Sequence, residues 1–154
     1  MKHSPRKGHR MVSLKADVSK AHRRFKVRRR DWGYQACRLA EDELWLNLVG
    51  TFGIGTASYY WARLFGTVGR LTLYLLYDCI LWQLIYADDT AWAAAGPNKC
   101  REIVMSLFFM VLLGTPFSWK KCRGGLEYEW VGYWLDWGRF ELGISELRAQ
   151  WLIG

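Results

Sequence analysis

Ile80-Leu81-Trp82-Gln83-Leu84-Ile85-Tyr86-Ala87-Asp88-Asp89-Thr90-Ala91-Trp92-Ala93-Ala94 is the stretch on which the fold turns. Ile80 to Tyr86 is an apolar run of strand length, with β-branched and aromatic side chains. Thr90 to Ala94 is a second such run, and Ala87-Asp88-Asp89 between them has the turn chemistry of aspartate. The reading is a hairpin that closes on two adjacent acids.

Downstream, Pro97-Asn98 opens a helix with Asn98 as its cap, and Gly114 ends it. Phe117 to Trp119 reads as a short strand, and Glu127 to Leu135 with Phe140 to Ile144 as a hairpin around Trp137-Gly138. Upstream, Ala57, Tyr60, Trp61, Leu64, Phe65 and Val68 recur at helical spacing from Thr56 towards Leu76. Gly66 and Gly69 oppose that helix, each at about 1 kcal/mol relative to Ala. Leu44 to Val49 reads as a buried strand that Gly50, Gly53 and Gly55 turn into the helix. Asp31 is a candidate cap for a short helix from Trp32 towards Leu39, and Met11 to Asp17 alternates as a strand ending in an acid. Strands and helices that alternate without strict βαβ repetition predict an α+β fold, with helices packed on one face of a mostly antiparallel sheet and a C-terminal hairpin after it.

The chain has 154 residues, of which 51% are hydrophobic and 16% aromatic, enough for a packed core and against general disorder. Charge is polarised. Residues 1–30 hold twelve of the 22 Lys and Arg against the single acid Asp17, whereas the remainder carries ten bases and thirteen acids. A basic segment beside a mildly acidic body suits a polyanion held next to a carboxylate site; a solvated basic arm is the alternative. Cys37, Cys79, Cys100 and Cys122 form no CxxC pair, so neither a zinc nor a disulfide framework is expected. The longest apolar stretch, Ile103 to Leu113, is too short for the roughly 20 residues of a membrane span, and the basic N-terminus has no apolar run behind it. An intracellular, soluble protein is expected, with nucleus and cytoplasm undecided.

Two carboxylates as close as Asp88 and Asp89 repel and raise one another's pKa unless a cation lies between them. A hard divalent ion such as Mg²⁺ takes one or two carboxylates together with substrate phosphates. A polar turn is the alternative for the pair. Asp17 beside Asp88 would complete a two-metal site for in-line phosphoryl displacement, with neighbouring Lys and Arg offsetting phosphate charge; alone, Asp17 is a salt-bridge partner.

In chain order, five segments resemble the conserved blocks of reverse transcriptases, especially those of retrotransposons. Lys15-Ala16-Asp17-Val18-Ser19-Lys20-Ala21 is similar to the first block, a strand ending in a metal-binding Asp. Thr51-Phe52-Gly53-Ile54-Gly55-Thr56-Ala57 is similar to the second, a Phe-Gly turn entering a helix. Tyr86-Ala87-Asp88-Asp89 resembles the YxDD hairpin. Leu113-Gly114-Thr115-Pro116-Phe117-Ser118-Trp119-Lys120-Lys121-Cys122 resembles the fourth block, with Lys121 on the family's lysine. Glu129-Trp130-Val131-Gly132-Tyr133 resembles the primer grip, for which Trp130, Val131 and Gly132 are the candidates.

The resemblance implies a polymerase palm: an RNA-directed DNA polymerase core acting on an RNA template, a DNA primer and a dNTP, with two Mg²⁺ ions (Mn²⁺ as the substitute). Asp17 and Asp88 would bridge the metals, with Asp89 nearby, and Lys121 would lie close to the triphosphate. Val18, His22, Phe52, Gly53 and Tyr86 would contact substrate. His22 stands where many relatives carry the Phe or Tyr that excludes a ribose 2′-hydroxyl, and Ser58 replaces the usual Pro of the second block. The expected organisation is a basic segment 1–11 at the edge of a fingers region and a palm-like domain 12–154, lacking complete fingers and thumb. An inactive retroelement relic that keeps the palm fold and some nucleic-acid binding is the alternative. No membrane partner is expected, and the sequence points to no particular protein partner.

Overall fold

The computed structural model describes residues 10–51 and 53–153. In chain order the elements are β1 (Met11–Asp17), β2 (Ala36–Ala40), β3 (Glu43–Leu46), α1 (Gly55–Leu75), β4 (Leu81–Tyr86), β5 (Asp89–Ala95), α2 (Lys99–Leu112), β6 (Arg123–Gly125), β7 (Glu127–Trp130), β8 (Tyr133–Asp136), β9 (Glu141–Ile144) and α3 (Glu146–Ile153). Short 3-10 helices occupy Ala21–Arg24, Arg29–Gln35 and Trp119–Lys121. The fold is α+β with antiparallel sheets, as expected. The chain divides into two compact units, Lys20–Phe65 and the residues on either side of it.

In the larger unit, β4, β5, β1 and β6 form a sheet in that order, antiparallel throughout. Because side chains alternate across a strand, Leu81, Gln83 and Ile85 share one face with Thr90, Trp92 and Ala94. Helices cover that face. Trp92, fully buried, donates its indole N–H to Ser106 Oγ of α2 at 2.7 Å and to Gln83 Oε1 at 3.2 Å. Truncating a core Trp of this kind costs about 3–5 kcal/mol. Gly69 of α1 meets the same face: a Cβ there would lie 2.4 Å from Ile85 Cδ1 and 2.8 Å from Gln83 Nε2. The residue that weakens the helix locally is thus the one that lets it approach the sheet.

The opposite face carries Met11, Ser13, Lys15 and Asp17 of β1, and the sheet β7-β8-β9 packs there. Trp137 Nε1 donates to Ser13 Oγ at 2.5 Å, and Lys15 Nζ donates to the Glu129 carbonyl. An apolar cleft of about 470 Å³ lies between the layers, lined by Trp82, Leu84, Tyr128, Trp130 and Leu135 among others.

Several local expectations are corrected. Leu44 to Val49 is not a buried strand: β3 ends at Leu46, and Leu44, Trp45 and Leu46 are all exposed. Asp31 lies inside the 3-10 helix Arg29–Gln35 rather than capping a helix, and the chain turns extended at Ala36. Asn98 is the cap residue of α2, yet its side chain makes no capping bond; its carbonyl accepts from the Glu102 N–H at 3.0 Å. Phe117 forms one bridge to Val18 and the chain then curls into Trp119–Lys121, because Lys121 N–H bonds back to the Ser118 carbonyl. The C-terminal hairpin forms around Trp137-Gly138, but its first arm is itself folded at Val131-Gly132, giving three strands. No described helix is long and apolar enough to cross a membrane.

Candidate functional site

β1 and β5 pair in a register that sets Asp17 directly opposite Asp89. Residues opposed across an antiparallel pair project from the same face with Cβ atoms about 4.5–5.5 Å apart. These two acids therefore leave the sheet side by side, on the face away from α2. Asp88 sits in the two-residue turn between Tyr86 and Asp89, which are paired across the hairpin. Its carbonyl accepts the Val18 N–H at 2.9 Å, tying the turn to the end of β1.

The turn holds Ala87 at φ 52°, a left-handed conformation that costs an L-residue roughly 1–2 kcal/mol. Its neighbour Thr90 is completely buried and its Oγ1 has no hydrogen-bond partner among the described residues.

Lys121 closes the group from a third direction. Its ammonium lies 2.8 Å from Asp17 Oδ2, an ion pair whose lysine is exposed while the aspartate is largely covered. The 3-10 helix carrying Lys121 is anchored to the same strand end, since the Ser118 N–H donates to the Asp17 carbonyl at 2.7 Å. Bonding to Asp17 pushes the Lys121 pKa up, with Asp88 and Asp89 adding to it, so the side chain stays a cation at neutral pH.

Asp89 feels both of the other carboxylates. Burial pushes the Asp89 carboxyl up from its ordinary value, and the charges of Asp88 and Asp17 push it further, while Lys15 and Lys121 pull it back. Negative charge is thus concentrated here beyond what the two lysines neutralise.

Carboxylate oxygens gathered in this way are the ligand type that a hard divalent cation takes. Among the described residues no three or more His, Cys, Asp and Glu side chains close into a ready-made metal cage. Mg²⁺ needs no such cage, because it retains waters and takes one or two carboxylates with substrate phosphates.

The other predicted residues fall into three groups. Val18 and Tyr86 flank the acids, but Val18 is only 1% exposed and serves through its backbone, whereas Tyr86 is exposed. Trp130, Val131 and Gly132 form the β7–β8 turn in the same unit, with Val131 at φ 51° and Gly132 at φ 77°. Their positive φ values match the tight hairpin turn that usually takes Asn-Gly. His22, in the 3-10 helix Ala21–Arg24, and Gly53, exposed at φ 86°, belong to the other unit; Phe52 lies outside the described residues. Sequence reasoning missed Ser118, and counted Lys15 only among the bases around Asp17. Ser118 acts through a backbone N–H that no motif registers, and Lys15 shares the face of Asp17 at a spacing of two, the signal that would have found it.

The sequence matches no protein-family model and no curated protein. Solved structures do match. The foamy viral protease-reverse transcriptase in complex with RNA/DNA hybrid aligns at a TM-score of 0.73 and 12% identity, over 93% of this chain and 18% of that one. The dRH form of the same protein, in complex with double-stranded DNA, aligns at 0.73 and 13% identity, over 93% and 24%. Apo telomerase from Candida Tropicalis, truncated from its C-terminal domain, aligns at 0.62 and 9% identity, over 88% and 35%. The chain thus spans between about a fifth and about a third of the length of these proteins. At such identities the likeness concerns the fold alone, which this chain shares with parts of these reverse transcriptase and telomerase structures.

Proposed function

We propose that this chain is the palm of an RNA-directed DNA polymerase, extending a DNA primer on an RNA template. The observation that carries the reading is the meeting of Asp17, Asp88, Asp89 and Lys121 at one end of one sheet, from three separate stretches of sequence.

Asp17 and Asp88 would hold two Mg²⁺ ions, with Asp89 as the adjacent acid; Mn²⁺ has the same oxygen preference. Bound there, the ions would supply charge stabilisation to the attacking and leaving oxygens of an in-line displacement. In that displacement the primer 3′-hydroxyl gives up its proton to solvent, its oxygen bonds to the α-phosphorus of a dNTP, and the bond from that phosphorus to the pyrophosphate oxygen breaks. The chain's own contributions are positional and acid–base. The Val18–Asp88 and Ser118–Asp17 backbone bonds fix where the carboxylates stand. Lys121, kept protonated by its neighbours, can pass from Asp17 to a phosphate oxygen and give a proton to the leaving pyrophosphate. Tyr86, exposed beside the acids, would border the nucleotide. Trp130, Val131 and Gly132 would bear on the primer strand.

The test is extension of a DNA primer annealed to an RNA template, in Mg²⁺, by wild type and Asp88→Asn. The reading predicts incorporation by wild type and a loss of at least about 10³-fold in the variant. Equal incorporation by both overturns the assignment of the site. Incorporation by neither favours a chain that keeps the fold and binds nucleic acid without polymerising.

A further inference from the structure

The smaller unit contains a pocket of its own, about 800 Å³ in volume. That is within the usual range of small-molecule sites, about 300–1,000 Å³. It shares no residue with the carboxylate site, and three kinds of group line it.

The first is aromatic. Phe25 and Tyr60 stand edge to face with ring centroids 6.2 Å apart, and Tyr60 is 58% exposed. Gly50 backs Phe25 so closely that a Cβ would lie 2.4 Å from its Cζ. The Phe25 ring is therefore held in place from behind.

The second is cationic. Lys26, Arg28 and Arg30 lie on the lining with Asp31 as the one acid, a net charge of +2 from three cations and one anion. Asp31 is engaged by Arg30 at 3.6 Å. Lys26 and Arg28 are exposed and have no acidic partner among the described residues.

The third is a buried amide. Gln35 is only 8% exposed, and its Oε1 has no hydrogen-bond donor among the described residues. Its backbone carbonyl is by contrast engaged by Asn47 Nδ2 at 3.2 Å. A buried acceptor left without a donor is an expensive feature, one that a ligand N–H relieves.

We propose that this pocket captures one unpaired nucleotide of a single-stranded nucleic acid, its base against Phe25 and Tyr60 with an N–H on Gln35 Oε1, and its phosphate on Lys26 and Arg28. Aromatic platforms with a basic border are the general chemistry of single-strand binding. Simple phosphate would leave the rings and the amide unused, and a purely apolar ligand would leave the cations unused. A duplex has no base free to enter. The inference stands on these residues alone and requires no catalysis.

The experiment uses the whole chain in metal-free buffer with EDTA, so that failure of the catalytic reading leaves it intact. The probe is a single-stranded RNA dodecamer with a central 2-aminopurine, followed by fluorescence anisotropy and by emission of the reporter base. The expected result is binding with a change in 2-aminopurine emission, weakened about tenfold in Lys26→Ala/Arg28→Ala. Loss of two phosphate contacts should also lower the slope of log affinity against log salt by about 1.4 on a single strand. Gln35→Met should weaken binding severalfold with the slope unchanged. Arg38→Ala/Arg70→Ala removes the same charge outside the pocket and should have little effect. An equal loss in that control pair overturns the proposal, as does equal affinity for the duplexed dodecamer. Displacement of the strand by an equal nucleotide concentration of AMP also overturns it, by assigning the pocket to a free nucleotide. All four substituted cations are exposed, so the folded chain is available for each comparison.

Discussion

Asp17 and Asp89 face each other across β1 and β5, one closing its strand and the other opening its own. Two carboxylates so placed destabilise the fold they belong to. Burial raises the Asp89 pKa, and the charges of Asp88 and Asp17 raise it further.

The raised Asp89 pKa has a definite consequence for stability. Between its unfolded value and its higher folded value, the folded chain binds the proton more tightly. Stability therefore falls as pH rises through that window, and the cost persists at neutral pH. Asp89→Asn is expected to raise the melting temperature at pH 7, with the gain disappearing as pH falls through the unfolded carboxylate range. A variant that melts lower than wild type at pH 7 would contradict this.

Lys121 should matter to rate far more than to folding, since exposed ion pairs add little stability. Lys121→Met is expected to leave the melting temperature nearly unchanged while lowering single-turnover incorporation by about 10²-fold, the low end for general acid catalysis. A proton-donor role further predicts that Lys121→Arg retains substrate affinity but not rate. Full activity of Lys121→Met would exclude that role.

Val131 at φ 51° is a β-branched residue where left-handed backbone is required. Val131→Asn keeps the turn and is expected to stabilise the chain by about 1 kcal/mol, seen as a rise of about 2–4 °C in Tm. If the turn also bears on a primer strand, the same variant should bind primer–template less tightly despite its higher Tm. A variant with lower Tm would show that Val131 packs better than its backbone suggests.

What the sequence made legible follows from how local the signals are. β1 was readable to the residue because Met11, Ser13 and Ala16 are buried on a strand ending in an acid. The β4–β5 hairpin was readable because two apolar runs bracket a turn residue pair. β3 departs from the expected buried strand because apolarity at Leu44, Trp45 and Leu46 does not entail burial, and these side chains are exposed. β6 was missed since Arg123-Gly124-Gly125 has almost no strand propensity; it is a strand only because β1 pairs with it. α3 was missed because its eight residues bury none of their side chains and show no apolar stripe. At the site, residue types and order were legible. The opposition of Asp17 to Asp89, the bond from Ser118 to Asp17 and the approach of Lys121 were not, because each is a pairing between segments distant in sequence.

Asp17 and Asp88 are proposed to hold a divalent ion at the end of this sheet. Replacing Mg²⁺ with Fe²⁺ in the presence of ascorbate and peroxide generates hydroxyl radicals at the bound metal, and backbone cleavage maps its position. The account predicts cuts near Asp17, near the Tyr86–Asp89 turn and near Lys121, suppressed by excess Mg²⁺ and absent in Asp17→Asn. Cleavage elsewhere, or at these positions equally in Asp17→Asn, would contradict it.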